Sequence, residues 1–298
     1  MLDPKKYIIT TQIEQFRKFM MTDKTMLSMY DNDDSLKWKE LLTNSKGELR
    51  ALWTKPSNKF EDDTSISYVH YLAPHTTVIG TNLCRLASEE CAGNCLGFTN
   101  RLALHVHKLY TDKTIALIKF TELYLITMVN DMIQKALVAF QTGKRVYFRF
   151  NGLSDLPFYR VIDMRSLYDD LMILAALFGI ARYDNPLYDY SKYPINASIE
   201  GVYRVTYSYN ENTQLQYLTR FNSISFVLPK KDKEKLIKDY PNSFVDGDLS
   251  DVRPLDSSKW VLLSLKGKKQ RDTGFVLSYD TIVNLLGLCT VHSLEVTC

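Results

Sequence analysis

The stretch Val146-Tyr147-Phe148-Arg149-Phe150-Asn151-Gly152-Leu153-Ser154-Asp155 is the clearest indication of the fold in this sequence. Its first five residues are rich in aromatic and β-branched side chains, which favour a buried strand. The next five are mostly polar or small and include a glycine, so they predict a turn. Apolar residues at helical spacing occupy residues 114–140 before it and residues 163–180 after it. The stretch therefore predicts a strand and its turn between two helices.

The same order of strand, turn and helix recurs along the chain. Further strands are predicted at residues 68–72, 76–80, 186–192, 202–207, 223–228, 244–248 and 260–265, and further helices at 99–110 and 214–220. Strands that alternate with helices favour a parallel sheet. We predict an α/β fold over residues 67–298, a partial (β/α) barrel with mostly parallel strands. Residues 1–66 are predicted to form an N-terminal extension that is partly helical, with helices at 12–21 and 35–42.

Polar residues follow the predicted strands, where parallel α/β folds bind their ligands. At these strand ends lie Arg149, Asn151, Asp155, Asp189, Lys192 and Ser208. We expect Asp155, Asp189 and Lys192 to supply acid and base groups, and the other three to bind a cofactor or substrate. An internal carboxylate partner for Arg149, or a simple salt bridge between Asp189 and Lys192, is the alternative.

Three of the five cysteines, Cys84, Cys91 and Cys95, fall within twelve residues. Thiolates are soft ligands, and three on one short loop can converge on a single metal. A structural zinc normally has four protein ligands, whereas a catalytic metal keeps one position open, so three local ligands favour an open site. Candidates for a fourth ligand are His70, His75, His105 and His107. Buried thiols in the core, or a disulfide in an oxidising compartment, are the alternatives.

A basic loop near the C-terminus suggests a different class of function. Its residues are Lys266, Lys268, Lys269 and Arg271. Such a loop contacts phosphate or nucleic acid, or is simply a solvated surface. Together with a structural zinc or buried thiols at the cysteines, it would characterise a nucleic-acid-binding protein. Asp246 and Asp248 flank Gly247 and either bind a cation or form a turn.

Composition adds limits of its own. The 298 residues carry a formal charge of +3, which permits nucleic acid binding without requiring it. No stretch approaches the roughly 20 apolar residues of a membrane span, and the N-terminus lacks an apolar signal core. An odd number of cysteines without a secretory signal favours a reducing compartment. We therefore expect a cytoplasmic protein without a membrane partner.

Several of these segments occur together in a fixed order. They are the cysteine loop, residues 149–155, residues 188–192, residues 206–208, residues 245–248, Asp251 with Arg253, and residues 272–275. Their order and spacing resemble a family of uncharacterised phage and plasmid proteins known as gene product 88, over about residues 71–276. This resemblance implies the cytoplasm of a bacterial host and assigns no activity. The chain departs from the family at Arg85, where proline is usual, and at the shortened turn Leu96-Gly97-Phe98.

A strand, a three-cysteine loop, a helix and a strand that ends in a polar glycine-containing turn are similar to the opening of radical S-adenosylmethionine enzymes. This resemblance implies three thiolates holding an iron–sulfur cluster with one iron open to S-adenosylmethionine. Asn151 and Gly152 would correspond to the turn that holds the amino-acid part of that cofactor. The cysteine spacing differs from the usual CxxxCxxC, and the likeness is one of fold. We thus expect an iron–sulfur enzyme, with the nucleic-acid-binding protein as the alternative.

Overall fold

A computed structural model of the chain describes residues 2–23, 25–44, 46–55, 60–95, 104–266 and 274–288. The strands are β1 Trp53–Thr54, β2 Ser65–His70, β3 Arg145–Arg149, β4 Leu187–Ser191, β5 Tyr203–Ser208, β6 Ile224–Leu228, β7 Phe244–Asp246 and β8 Trp260–Ser264. The α-helices are α1 Ile13–Met20, α2 Met26–Asp31, α3 Trp38–Leu42, α4 Glu89–Gly93, α5 Leu104–Lys119, α6 Thr121–Gln141, α7 Met164–Leu177, α8 Lys230–Asp239 and α9 Tyr279–Leu286. Short 3-10 helices include Phe158–Arg160 and Leu215–Thr219, and the second replaces the helix predicted at 214–220.

The strands of the described residues form a sheet of eight in the order β1-β2-β3-β4-β5-β6-β8-β7. β1 is antiparallel to β2, whereas β2–β3, β3–β4, β5–β6, β6–β8 and β7–β8 are parallel. Parallel neighbours require long crossover connections, and the connections here carry helices such as α6 and α7. The predicted α/β fold with mostly parallel strands is confirmed. Closure of the sheet into a partial barrel stays a prediction.

The strand predicted at residues 76–80 is wrong, because these residues form a turn. The amide of Thr77 donates to the Pro74 carbonyl at 3.1 Å. His75 has φ 48° and Gly80 has φ 71°, so both lie in the left-handed region, which an extended strand does not contain. The β-branched residues of this run therefore lie between two backbone reversals.

The helix predicted at residues 114–140 is interrupted. α5 ends at Lys119, and Phe120 leaves the helical region with φ −118° and ψ 45° before α6 begins. The hydroxyl of Thr121 donates to the Leu117 carbonyl at 2.6 Å, a contact that competes with backbone hydrogen bonds and bends helices. α5 also contains the later part of the helix predicted at 99–110, whose residues 99–103 lie outside the described residues.

α8 and β1 are absent from the predicted elements for identifiable reasons. α8 contains only two apolar residues, Leu236 and Ile237, so its apolar spacing is obscured by charge. β1 is two residues long, which is too short to show an alternating pattern.

The chain divides into two compact units. The first unit contains Met1–Arg85, Gly97–Asp189 and Ala197–Arg204, and the second unit contains Leu86–Leu96, Tyr190–Asn196 and Val205–Cys298. The boundary predicted near residue 67 between an extension and an α/β domain stays a prediction. Helices α1 and α3 lie within the segments 12–21 and 35–42, where helices are predicted.

Helix α6 is the central helix of the first unit and packs against β3, α5 and α7. It is 21 residues long and apolar enough in composition to cross a membrane, which corrects the expectation that no stretch approaches that length. Length and composition do not distinguish such a span from the core helix of a globular protein. Ten of its residues are buried, including Tyr124, Met128 and Met132.

His70 at the end of β2 is fully buried in the first unit. Its Nδ1 lies 3.0 Å from the Phe150 carbonyl oxygen and its Nε2 lies 2.8 Å from the Tyr124 hydroxyl. A carbonyl oxygen only accepts, so Nδ1 carries the proton and Nε2 accepts from Tyr124. Burial, together with the nearby charge of Lys113, lowers the pKa of His70 to about 3. His70 is therefore neutral at physiological pH.

In the second unit the core lies between β5, β6, β8 and the helices α8 and α9. Its buried members include Phe226, Leu236, Leu262 and Ile282. Each element contributes an apolar face, as expected where helices cover a parallel sheet.

The buried state of His70 predicts that stability depends on pH. Its folded pKa lies below the unfolded value near 6.5, so the unfolded chain binds more protons between about pH 3 and 6.5. The stability is fully present above pH ~6.5 and falls as the pH is lowered, by up to about 1.4 kcal/mol per unit. Urea unfolding between about pH 7.5 and 4 should show a shallower pH dependence for His70→Gln than for the unmodified chain.

His75→Asn is the matched control for this experiment. His75 is only partly buried and its φ of 48° is tolerated by asparagine. This variant should keep the pH dependence of the unmodified chain. Identical slopes for the unmodified chain and His70→Gln would contradict the assignment of a neutral buried His70.

Candidate functional site

The turn after β3 is organised by the buried side chain of Asn151. Its Nδ2 donates to the Leu156 carbonyl at 2.9 Å and to Asp189 Oδ2 at 2.5 Å. Its Oδ1 accepts from Ser154 Oγ at 2.7 Å and from the Leu156 amide at 2.9 Å. An asparagine side chain has two N–H donors and a carbonyl oxygen with two lone pairs, so these four bonds use its capacity. Asn151 therefore closes the turn, and its predicted role in cofactor binding stays a prediction.

Asp189 connects this turn to the neighbouring strands of the first unit. Its Oδ1 accepts from the Asn151 amide at 3.0 Å, and its Oδ2 accepts from the Tyr203 hydroxyl at 3.4 Å. Burial, and then the charge of Asp189, raises the pKa of Tyr203 well above its usual value, so the phenol remains a donor. Asp155 is also buried, and its amide donates to the Leu83 carbonyl at 2.8 Å. Asp189 lies within β4 and Asp155 lies in the turn after β3, and their catalytic role stays a prediction.

Gly152 is required by packing within the first unit. A Cβ atom at this position would lie 2.3 Å from the ring of Tyr71, which stacks on Tyr110 with ring centroids 5.2 Å apart. Its amide donates to the His70 carbonyl at 2.9 Å. The missing side chain therefore admits the Tyr71 ring, a reason for glycine that is independent of a cofactor.

Arg149 is partly buried at the end of β3 and folds back over the same turn. Its Nε donates to the Asn151 carbonyl at 2.9 Å, and its Nη2 lies 3.4 Å from the Gly152 carbonyl. The guanidinium places a positive charge beside this strand end. Its expected role in binding an anionic ligand stays a prediction.

Cys84 lies against this turn within the first unit. Its Sγ is 3.5 Å from the Leu153 carbonyl oxygen, a contact in which the thiol is the donor. Its amide donates to Asn82 Oδ1 at 3.0 Å. The first cysteine of the loop is thus held next to the residues that follow β3.

Cys91 and Cys95 belong to the second unit, on and just after α4. Both are partly exposed, as is Cys84, and none of the three is in a disulfide among the described residues. Among the described residues, no three His, Cys, Asp or Glu side chains are grouped so that they could hold a metal ion. The thiols have the chemistry of a soft-metal site, but the described part of the chain contains no such site already assembled.

Lys192 and Ser208 also belong to the second unit and are partly buried. Ser208 Oγ is 3.5 Å from Ser225 Oγ, at the long limit of a hydrogen bond. The predicted roles of these two residues stay predictions.

The basic loop is only partly described, because Lys268, Lys269 and Arg271 lie outside the described residues. Lys266 donates to Asp248 Oδ1 at 2.7 Å. Lys233 of α8 donates to Asp246 Oδ1 at 2.6 Å and to Asp248 Oδ2 at 2.8 Å. The side chain of Lys233 is 5% exposed, compared with 41% for Lys266.

The aspartates at and just after the end of β7 thus pair with lysines of the same unit. Burial alone would raise the pKa of Asp248, but hydrogen bonds from Lys233, Lys266 and Ser264 hold it well below its usual value. Asp248 is therefore an anion, and together with Asp246 it balances the charges of two lysines. The sequence signal for Lys233 is its spacing, since it lies three residues before Leu236 on the buried face of α8.

The packing of Gly152 predicts that Gly152→Ala is destabilising. The added methyl group would displace the Tyr71 ring or the turn, at a cost of about 2 kcal/mol or more in the free energy of unfolding. Gly93→Ala is the control, because nothing lies within 4 Å of a Cβ at that position. Chemical denaturation should show a loss for the first variant only. An unchanged midpoint for Gly152→Ala would contradict the packing argument.

The ion pairs of α8 predict unequal effects for two lysines. Lys233→Met leaves two partly buried carboxylates without their buried cation, and should cost about 2–3 kcal/mol of stability. Lys266→Met removes a more exposed pair and should cost about 1 kcal/mol or less. Thermal unfolding of the two variants in parallel tests this order. Equal losses would show that burial does not determine the contribution of each pair.

Comparison with known proteins gives a match at the level of a protein family. No curated protein matches the chain, and no solved structure matches it. The family model described as Gene product 88 matches residues 39–279, which include the turn after β3, the cysteine loop and the paired aspartates at the end of β7. Since this match extends over most of the sequence, the chain belongs to the gene product 88 family.

Proposed function

We propose that the protein binds an iron–sulfur cluster through Cys84, Cys91 and Cys95 and acts as a radical S-adenosylmethionine-like enzyme. The observation that supports this proposal is that all three cysteines are partly exposed and that none is in a disulfide among the described residues. A solvent-accessible thiol can ionise and bind a soft metal, whereas a thiol sealed in an apolar core is inert. The three sequence-local thiols thus have the accessibility that ligation requires.

The proposal requires the loop to rearrange around its cofactor, because the described residues contain no preassembled group of three ligands. Metal binding by cysteine loops is commonly coupled to folding of the loop, since the free loop rarely holds its ligands in place. When bound, a cluster with three thiolate ligands supplies an open iron for a further cofactor.

The residues of the first unit would supply a rigid surface for that cofactor. Hydrogen bonds between Asn151 and Asp189 preorganise the turn after β3, and Cys84 lies against Leu153 of the same turn. Arg149 contributes the positive charge that would attract a carboxylate. In this proposal Asp155 and Asp189 are the acid and base groups.

The nucleic-acid-binding alternative receives less support from the described contacts. Lys233 and Lys266 are paired with Asp246 and Asp248, so these cations are neutralised within the protein. Phosphate contacts require lysine or arginine side chains that can neutralise phosphates and so release the counterions of the nucleic acid. A structural zinc is therefore treated as one possible result of the metal analysis described next.

The proposal is tested by iron, zinc and acid-labile sulfide content, with an absorption spectrum, on protein purified without oxygen. We expect about four iron and four sulfide per chain, and binding of S-adenosylmethionine by the loaded protein. Cys84→Ala, Cys91→Ala and Cys95→Ala should each lose the cluster. Cys289→Ala changes a cysteine outside the loop and should retain it.

Other outcomes of the same measurement exclude the proposal. One zinc per chain without sulfide would assign the loop a structural role and favour the nucleic-acid-binding alternative. Protein that contains no metal, even after reconstitution with iron and sulfide, would contradict the cluster.

A further inference from the structure

We propose that Glu211 is the residue that positions the cysteine-bearing helix α4. This inference rests on the proposed function, because the helix carries Cys91 and leads directly to Cys95. Glu211 acts on the thiols through the backbone of α4, so its role is to hold them in place.

Helix α4 cannot be stable by itself. It is five residues long and has no buried residue, so neither its length nor an apolar face holds it in place. Helices this short are unstable in water without tertiary contacts. The position of Cys91 therefore depends on the few contacts that fix the beginning of this helix.

Among the described residues, two side chains form hydrogen bonds with amides in the first turn of α4. Ser88 caps the helix, with its Oγ accepting from the Cys91 amide at 3.2 Å. Glu211, far away in sequence but in the same unit, accepts from the Glu90 amide through Oε1 at 3.1 Å. A carboxylate at the first turn of a helix binds amides that have no intrahelical partner, and its charge opposes the helix dipole. Glu211 is thus the long-range attachment of α4.

Glu211 is itself held in a fixed position. The preceding Asn210 is buried, with its Oδ1 accepting from the Asn212 amide at 2.9 Å and its own amide donating to Thr213 Oγ1 at 3.0 Å. Gly274 packs against the glutamate so closely that a Cβ there would lie 2.7 Å from Glu211 Cβ. Gly274 also has φ +84°, which only glycine adopts readily. This explains the glycine in the segment 272–275, for which the proposed function gives no role.

The second carboxylate oxygen of Glu211 can accept a further hydrogen bond. Glu211 Oε2 is buried and has no hydrogen-bond partner among the described residues, and the same is true of Asn94 Oδ1. Asn94 Nδ2 donates to the Glu90 carbonyl at 2.9 Å, so both residues bind the peptide groups of Glu90. Buried acceptors without donors are costly, so a donor from a water, an ion-bound group or a ligand is favourable at such a position. The attachment of α4 can therefore take a further donor when the loop closes on a cofactor.

The experiment compares Glu211→Ala, which removes the acceptor, with Glu211→Gln, which keeps an oxygen for the Glu90 amide. Alkylation rates of each cysteine in the metal-free chain are measured by peptide mass spectrometry. We expect Glu211→Ala to raise the rates at Cys91 and Cys95 about tenfold, and Glu211→Gln to restore them to within about twofold. Glu234→Ala, on the exposed face of α8, is the matched control and should not change them.

Cys84 serves as an internal reference because it belongs to the first unit. Equal rates at Cys91 in Glu211→Ala and the unmodified chain would overturn the proposal. Equal acceleration at Cys84 would indicate general loss of structure and would overturn it as well. Iron loading is the second readout, and we expect at least tenfold weaker binding for Glu211→Ala than for Glu211→Gln. Failure of the unmodified chain to bind metal would refute the cluster, while the alkylation rates would still decide the role of Glu211.

Discussion

The hydrogen bonds between Asn151 and Asp189 are the constraint on which the first unit depends. They join the turn after β3 to a carboxylate on β4, and both side chains are buried. A buried carboxylate is tolerated only where donors surround it, and the Asn151 amides and Tyr203 supply them. The turn, the neighbouring strand and the contact with Cys84 therefore depend on the same hydrogen bonds. Replacing Asn151 or Asp189 would take these hydrogen bonds away from the other buried side chain.

Side chains also satisfy backbone polar groups at the edge of the sheet, next to β1. β1 has only two residues, yet side chains bind both the N–H and the C=O group of the adjacent Leu52. Its amide donates to Asp131 Oδ2 at 2.7 Å, and its carbonyl accepts from Lys113 Nζ at 3.2 Å. Burial lowers the pKa of Lys113 to about 8, while Asp131 opposes that shift. Side chains of α5 and α6 thus replace the interstrand bonds that a longer edge strand would have made.

Fold class and most strands could be predicted from the sequence because their physical signals are local. The run of residues before Asn151 is mostly apolar, is rich in side chains that favour strands and is followed by a turn. It forms β3 as expected. The run at residues 76–80 has a similar composition, but the backbone reversals at His75 and Gly80 determine its conformation. Long-range partners carry no local signal, so the contact of Glu211 with α4 could not be foreseen. For the same reason, spacing identifies Cys84, Cys91 and Cys95 as candidate ligands without showing whether their sulfur atoms converge.

The parallel pairing of β2 with β3 has a consequence for the order in which the chain can fold. Ser65 pairs with Arg145, so the cysteine loop and the helices α5 and α6 all lie in the crossover between the paired strands. During synthesis the three cysteines leave the ribosome before β3 exists, at a stage when β2 has no parallel neighbour. A nascent chain therefore presents its thiols to solvent before the turn that contacts Cys84 can form. Thiol chemistry in this protein can precede the pairing of β2 with β3, and the redox state of the compartment acts on the chain at that stage.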